Sequence, residues 1–83
     1  MSTNPETTRA SRRADDRIVT ALSQWLARHL DEAELRRRVE AVGVADLSPD
    51  QAKAVEELLA DLGEDRGQNE MLVRETLEAL ALG

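Results

Sequence analysis

The chain has no cysteine, no phenylalanine and no tyrosine, and only two prolines and four glycines in 83 residues. Without thiols, neither disulfides nor thiolate metal sites are available, and stability has to come from packing. Trp25 is the sole aromatic, so any core is assembled from aliphatic side chains around at most one large ring. Lysine is nearly absent, with Lys53 standing against ten arginines, and His29 is the single histidine. No apolar run is long enough to span a bilayer, and the N-terminus lacks the apolar core of a signal peptide. The expectation is a cytoplasmic protein.

The formal net charge is −6, unevenly spread. Residues 1–45 carry eight arginines against seven acids, whereas residues 46–83 carry three bases against ten acids, a net −7. An acidic second half repels nucleic acid and anionic lipid, which favours a basic or apolar partner.

What is present is helical patterning. Residues 1–14 are rich in Ser, Thr and Arg with little to bury, and are expected to form a disordered arm ahead of a helical domain over 15–83. Ile18, Val19, Leu22, Trp25, Leu26, His29 and Leu30 recur at three- and four-residue spacings, which predicts a first helix from about Asp15 to Leu30. Arg28 and His29 would then complement the dipole at its end. Asp31 followed by Glu34, with Leu30 and Leu35 at staple positions, reads as a fresh helix start, so a second helix is expected over Glu32–Val42 ending at Gly43. A single long helix through Asp31 is the alternative, and the capping pattern favours the break. Ser48-Pro49-Asp50-Gln51 is the clearest start, predicting a third helix to about Leu62 with Ala52, Val55, Leu58, Leu59 and Leu62 inward and Gly63 ending it. A polar loop over 63–67 precedes a fourth helix beginning between Gln68 and Glu70, with Leu72, Val73, Leu77 and Leu80 as its stripe. No segment alternates with period two. The fold class expected is all-α, a small bundle of three to four short helices.

Small domains without disulfide or metal often associate to complete their burial. The last helix carries Met71-Leu72-Val73 and an Ala79-Leu80-Ala81-Leu82 ending, apolar on more than one side. A homodimer through the first and last helices is therefore expected, with Leu22, Trp25, Leu26, Met71, Leu72, Val73, Leu77 and Leu80 as its interface.

The arginine triplet in Glu34-Leu-Arg-Arg-Arg-Val-Glu40 tests a nucleic-acid role. Successive helical residues are about 100° apart, so Arg36, Arg37 and Arg38 fan round the helix and form no flat patch. Glu32 and Glu34 precede Arg36 and Arg38 by four, and Glu40 follows Arg36 by four, which reads as a self-neutralised solvated face. A helix-turn-helix is disfavoured because the helix after Ser48 exposes Asp50, Glu56, Glu57 and Asp61 around the single Lys53. The acidic cluster Glu56, Glu57, Asp61, Glu64 and Asp65 reads as solvated surface, or else as a docking face for a basic protein. His29 has Leu26 rather than a carboxylate three residues before it, so the Glu-x-x-His pairing of di-iron bundles is missing. No motif activates a nucleophile. No catalytic residue, metal ligand or cofactor is expected.

The expected function is that of a small non-enzymatic helical protein–protein interaction module, self-associating, in the manner of a regulator or adaptor. The alternative is a nucleic-acid-associated regulator whose arm, with Arg9, Arg12, Arg13 and Arg17, touches phosphate. That alternative requires DNA binding that weakens steeply with salt and vanishes when residues 1–14 are deleted; no retention on DNA at low salt eliminates it.

Overall fold

A computed structural model describes the backbone from Pro5 to Gly83 and the side chains from Ala14 onward. It contains α1 (Pro5–Leu26), α2 (Glu32–Val42), α3 (Pro49–Asp61) and α4 (Arg66–Leu82), with no strand among the described residues. α1 packs against α2 and α4, and α4 packs against α3. The architecture is thus an all-α bundle in which α1 and α4 form the central pair.

Helix starts follow side-chain capping. Asp31, extended at φ −89°, accepts from the Glu34 amide at 2.8 Å and opens α2, so α1 and α2 are separate helices. Ser48 and Gln51 form a reciprocal capping box: the Gln51 amide donates to Ser48 Oγ at 3.2 Å and the Ser48 amide to Gln51 Oε1 at 3.0 Å. Pro49 then takes the first helical position, where its missing N–H costs nothing. α4 begins at Arg66, ahead of the expected 68–70 start, because the Asp65 side chain accepts from the Gln68 amide at 3.3 Å.

Helix ends depart further from expectation. α1 stops at Leu26, not Leu30, in a Schellman ending: the Arg28 amide donates to the Trp25 carbonyl at 2.9 Å and the His29 amide to the Gln24 carbonyl at 2.8 Å. This ending puts Arg28 at φ 66°, a left-handed position more often held by Gly. Arg28 and His29 consequently lie beyond the helix and are exposed, so neither sits in its last turn and His29 is not at the edge of the apolar face. Gly43 closes α2 at φ 76°, as its lack of a Cβ allows. Leu62, rather than Gly63, caps α3, and its amide donates to the Leu58 carbonyl. At the other end of the chain α1 is helical from Pro5, ten residues before the expected start at Asp15. The arm expected over 1–14 otherwise falls on residues 1–4, and on side chains up to Arg13, that lie outside the described residues.

The core is a seam to which each helix gives one face, its buried positions falling at helical spacing. Ala14, Ile18, Ala21, Leu22 and Trp25 come from α1, Leu35 and Val39 from α2, Val55 and Leu58 from α3, and Val73 and Leu80 from α4. Trp25 is the largest of these side chains and is fully buried. Leu30, Val44, Leu47, Leu62 and Leu72 are among the partly buried side chains that pack against this cluster.

Two substitutions test the boundaries. Arg28→Gly is expected to stabilise the fold by about 0.5–1 kcal/mol by relieving the left-handed residue. Ser48→Ala is expected to cost about 1 kcal/mol by removing the cap. Urea unfolding followed by circular dichroism reads both, and a loss of stability for Arg28→Gly contradicts the assigned α1 ending.

Candidate functional site

The buried polar side chains identify what the interior is built to do. Gln51, besides its capping role, donates through Nε2 to Asp15 Oδ2 at 3.1 Å and to the Leu80 carbonyl at 3.0 Å. One amide thereby ties the start of α3 to α1 and to the end of α4. Asn69 is fully buried and holds a single backbone unit from both sides, accepting from the Gly63 amide at 3.0 Å and donating to the Gly63 carbonyl at 2.8 Å. It fixes the α3–α4 turn as a strand partner would. Thr76 Oγ1 returns to the Leu72 carbonyl at 2.8 Å. Each of these groups would cost roughly 1–3 kcal/mol if left unpaired, and each is consumed by the fold. Asp15 keeps one buried oxygen, Oδ1, without a hydrogen-bond partner among the described residues.

Among the described residues, no helix has a basic residue in its last turn. The ends of α1 and α3 receive their cations from neighbouring helices. Arg36 of α2 donates through Nη1 to the Leu59 carbonyl at 2.7 Å and through Nη2 to the Leu62 carbonyl at 3.3 Å, at the close of α3. Arg66 of α4 donates through Nη2 to the Trp25 carbonyl at 3.2 Å, near the close of α1. Both arrangements place a guanidinium at carbonyls of a helix's last turn, where the dipole favours positive charge; the Trp25 carbonyl accepts it beside the Arg28 amide.

Arg66 also lies over the Trp25 ring, its guanidinium carbon 4.2 Å from the centroid. A cation on the face of a buried indole is stabilised by the ring quadrupole, by about 0.5–2 kcal/mol. Arg66 Nε lies 3.3 Å from Glu70 Oε2 without hydrogen-bond alignment, so that contact is an ion pair only. On the other side, Trp25 Nε1 donates to Glu32 Oε2 at 2.8 Å. Trp25 is therefore held by α2 and α4 through polar atoms as well as by packing.

The arginine triplet now resolves into three roles. Arg36 does not pair with Glu32 or Glu40; Glu32 serves Trp25, and Arg36 closes α3. Arg37 and Arg38 both bind Glu34, and Arg38 also donates to Gln24 Oε1 of α1 at 3.0 Å. The two guanidinium groups, Arg38 first and then Arg37, hold the Glu34 carboxyl below its ordinary pKa.

The expected interface residues separate into three groups. Leu22, Trp25, Val73 and Leu80 are core and have no surface to offer a partner. Leu26, Leu72 and Leu77 are half-buried against that core. Met71, 65% exposed, is the one large side chain of the eight that faces solvent; Leu82, outside that set, is 82% exposed. The physical reason is that four short helices do bury the α4 stripe, because α1 covers one flank and α3 the other. Of the arm residues, Arg9, Arg12 and Arg13 have side chains outside the described residues, and Arg17 is exposed.

The surface concavity that periodicity did not reveal is a groove of about 440 Å³ between α1 and α2. It is lined by the small side chains of Thr20, Ala21, Ala41 and Val42 and by the charged and polar ones of Asp16, Arg17, Gln24 and Arg38. A smaller groove of about 220 Å³ runs between α3 and α4, where Glu57 and Glu75 flank Ala54 and Leu72. No helix among the described residues is long and apolar enough to cross a membrane. Compared with models of known families, with curated proteins and with solved structures, the chain matches none.

Two measurements test these assignments. Arg36→Ala is expected to cost about 1–2 kcal/mol in urea unfolding, whereas Arg37→Ala, at an exposed position, should change stability by under about 0.5 kcal/mol. Equal effects contradict the cross-helix cap. Because the folded pKa of Glu34 is depressed, its pairing adds stability above the ordinary carboxylate range, and that stability is lost as pH falls through the lower folded value. NMR titration should find the Glu34 carboxyl below the ordinary glutamate value, and Arg38→Gln should raise it; an unchanged midpoint contradicts the pairing.

Proposed function

We propose that the chain is a small non-enzymatic interaction module that works by surface contact and self-associates, as an adaptor or regulator does. The observation that carries this reading is the α1–α2 groove, a concavity lined by small apolar and by charged side chains, on a chain whose buried Gln51 and Asn69 are spent on helix caps and turns. Met71 and Leu82 add apolar surface on α4 that packing within the chain does not use. Interfaces formed by small helical domains combine such apolar points with a polar rim, and they do not require an activated nucleophile or an acid–base pair.

Self-association has a direct readout. Light scattering coupled to size exclusion, over a concentration series, should give a mass above that of the 9.2 kDa chain which falls on dilution. A mass equal to one chain at every concentration contradicts the self-associating part of the proposal.

A further inference from the structure

Resting on that reading, we infer that the α1–α2 groove is the seat of a second copy of this chain, placed antiparallel across a two-fold axis at Thr20. Asp16, Thr20 and Gln24 stand four residues apart and share one ridge of α1 along the groove. Asp16, exposed at one end of this stretch, carries its negative charge. The other end is basic, where Arg38 reaches across from α2 to Gln24 Oε1 at 3.0 Å. Thr20 is exposed, small and midway, about 6 Å along the helix from either end.

This ordering is complementary to itself. A two-fold axis through Thr20, perpendicular to α1, sets Asp16 of one copy against Gln24 and Arg38 of the partner subunit, and repeats the pair on the other side. Small exposed side chains at the crossing, Thr20 with Ala41 beside it, let the two α1 backbones approach closely. Arg17, one residue from Asp16, is exposed and can carry its charge to water on a long apolar stem.

The electrostatics of the whole chain select the same face. Residues 46–83, which form α3 and α4, hold ten acids against three bases, so two copies meeting through that half repel one another. Meeting through α1 and α2 keeps the two acidic halves on opposite outer sides. The α3–α4 groove, with Glu57 and Glu75 on its rim, has no such self-complementarity.

Sedimentation equilibrium of the full chain at low salt tests the inference with charge exchange. Asp16→Arg sets Arg against Arg twice, Arg38→Asp sets Asp against Asp twice, and each should weaken the dimer about tenfold or more. An equimolar mixture of the two variants restores both opposite-charge pairs and should recover the dimer, as should the doubly substituted chain. Thr20→Glu, at an exposed site where circular dichroism should find the fold unchanged, puts like charges together on the axis and should also weaken association. A wild-type dimer that neither Asp16→Arg nor Thr20→Glu weakens overturns this groove as its seat while leaving self-association standing. A monomer at every concentration overturns both, and open-ended growth beyond a dimer overturns the two-fold arrangement.

Discussion

Everything in this fold hangs on enclosing one indole. With no other aromatic in the chain, Trp25 is the largest apolar side chain available, and it is fully buried where α1 meets α2 and α4. Burial of an indole is favourable only if its N–H keeps a partner, and Glu32 at the start of α2 supplies it. The ring face takes Arg66 from the start of α4, which at the same time binds the Trp25 carbonyl. Truncating such a side chain to Ala typically costs about 3–5 kcal/mol, a large share of the stability of a small domain.

The same economy governs the helix ends. A chain this short has little room for dedicated capping segments, so residues at helix starts serve two elements at once. Gln51 completes its own helix's capping box while bridging to Asp15 and Leu80. Arg36 and Arg66 close neighbouring helices instead of their own. These bonds cross between elements and specify which helix ends lie side by side, something aliphatic packing alone does weakly.

Sequence pattern and structure agree best where a boundary is written in local chemistry. Asp31, Gly43 and Ser48-Pro49 act within a few residues of themselves, and α2 and the start of α3 fall where those residues place them. The end of α1 was illegible because Arg28 takes a left-handed position that its residue type does not advertise, leaving His29 and Leu30 to mimic a continuing stripe. The seam of α4 was half hidden for another reason: its buried positions are Asn69, Val73, Thr76 and Leu80, and two of the four are polar. Counting only apolar residues shifted attention to Leu72 and Leu77, and made the helix look over-supplied with surface when much of it is core. The arginine triplet showed the limit of pairing by spacing. Glu34 with Arg38 follows the four-residue rule, but Arg36 answers to α3, which is remote in sequence. The groove between α1 and α2 depends on how two helices lie together, so no single segment could reveal it.

Functionally, the molecule pairs an acidic α3–α4 half with a near-neutral half that bears the larger groove, and contact through that groove is the role proposed for it. All of this presupposes that Trp25 is sealed between three helices. Because it is the only tryptophan, its fluorescence reports that point without ambiguity. In the native chain the emission should be blue-shifted and scarcely quenched by acrylamide, and it should shift to the red in the same urea transition that abolishes the helical circular dichroism. Native emission at the wavelength of a solvated indole, with ready quenching before any helix is lost, would contradict the account at its centre.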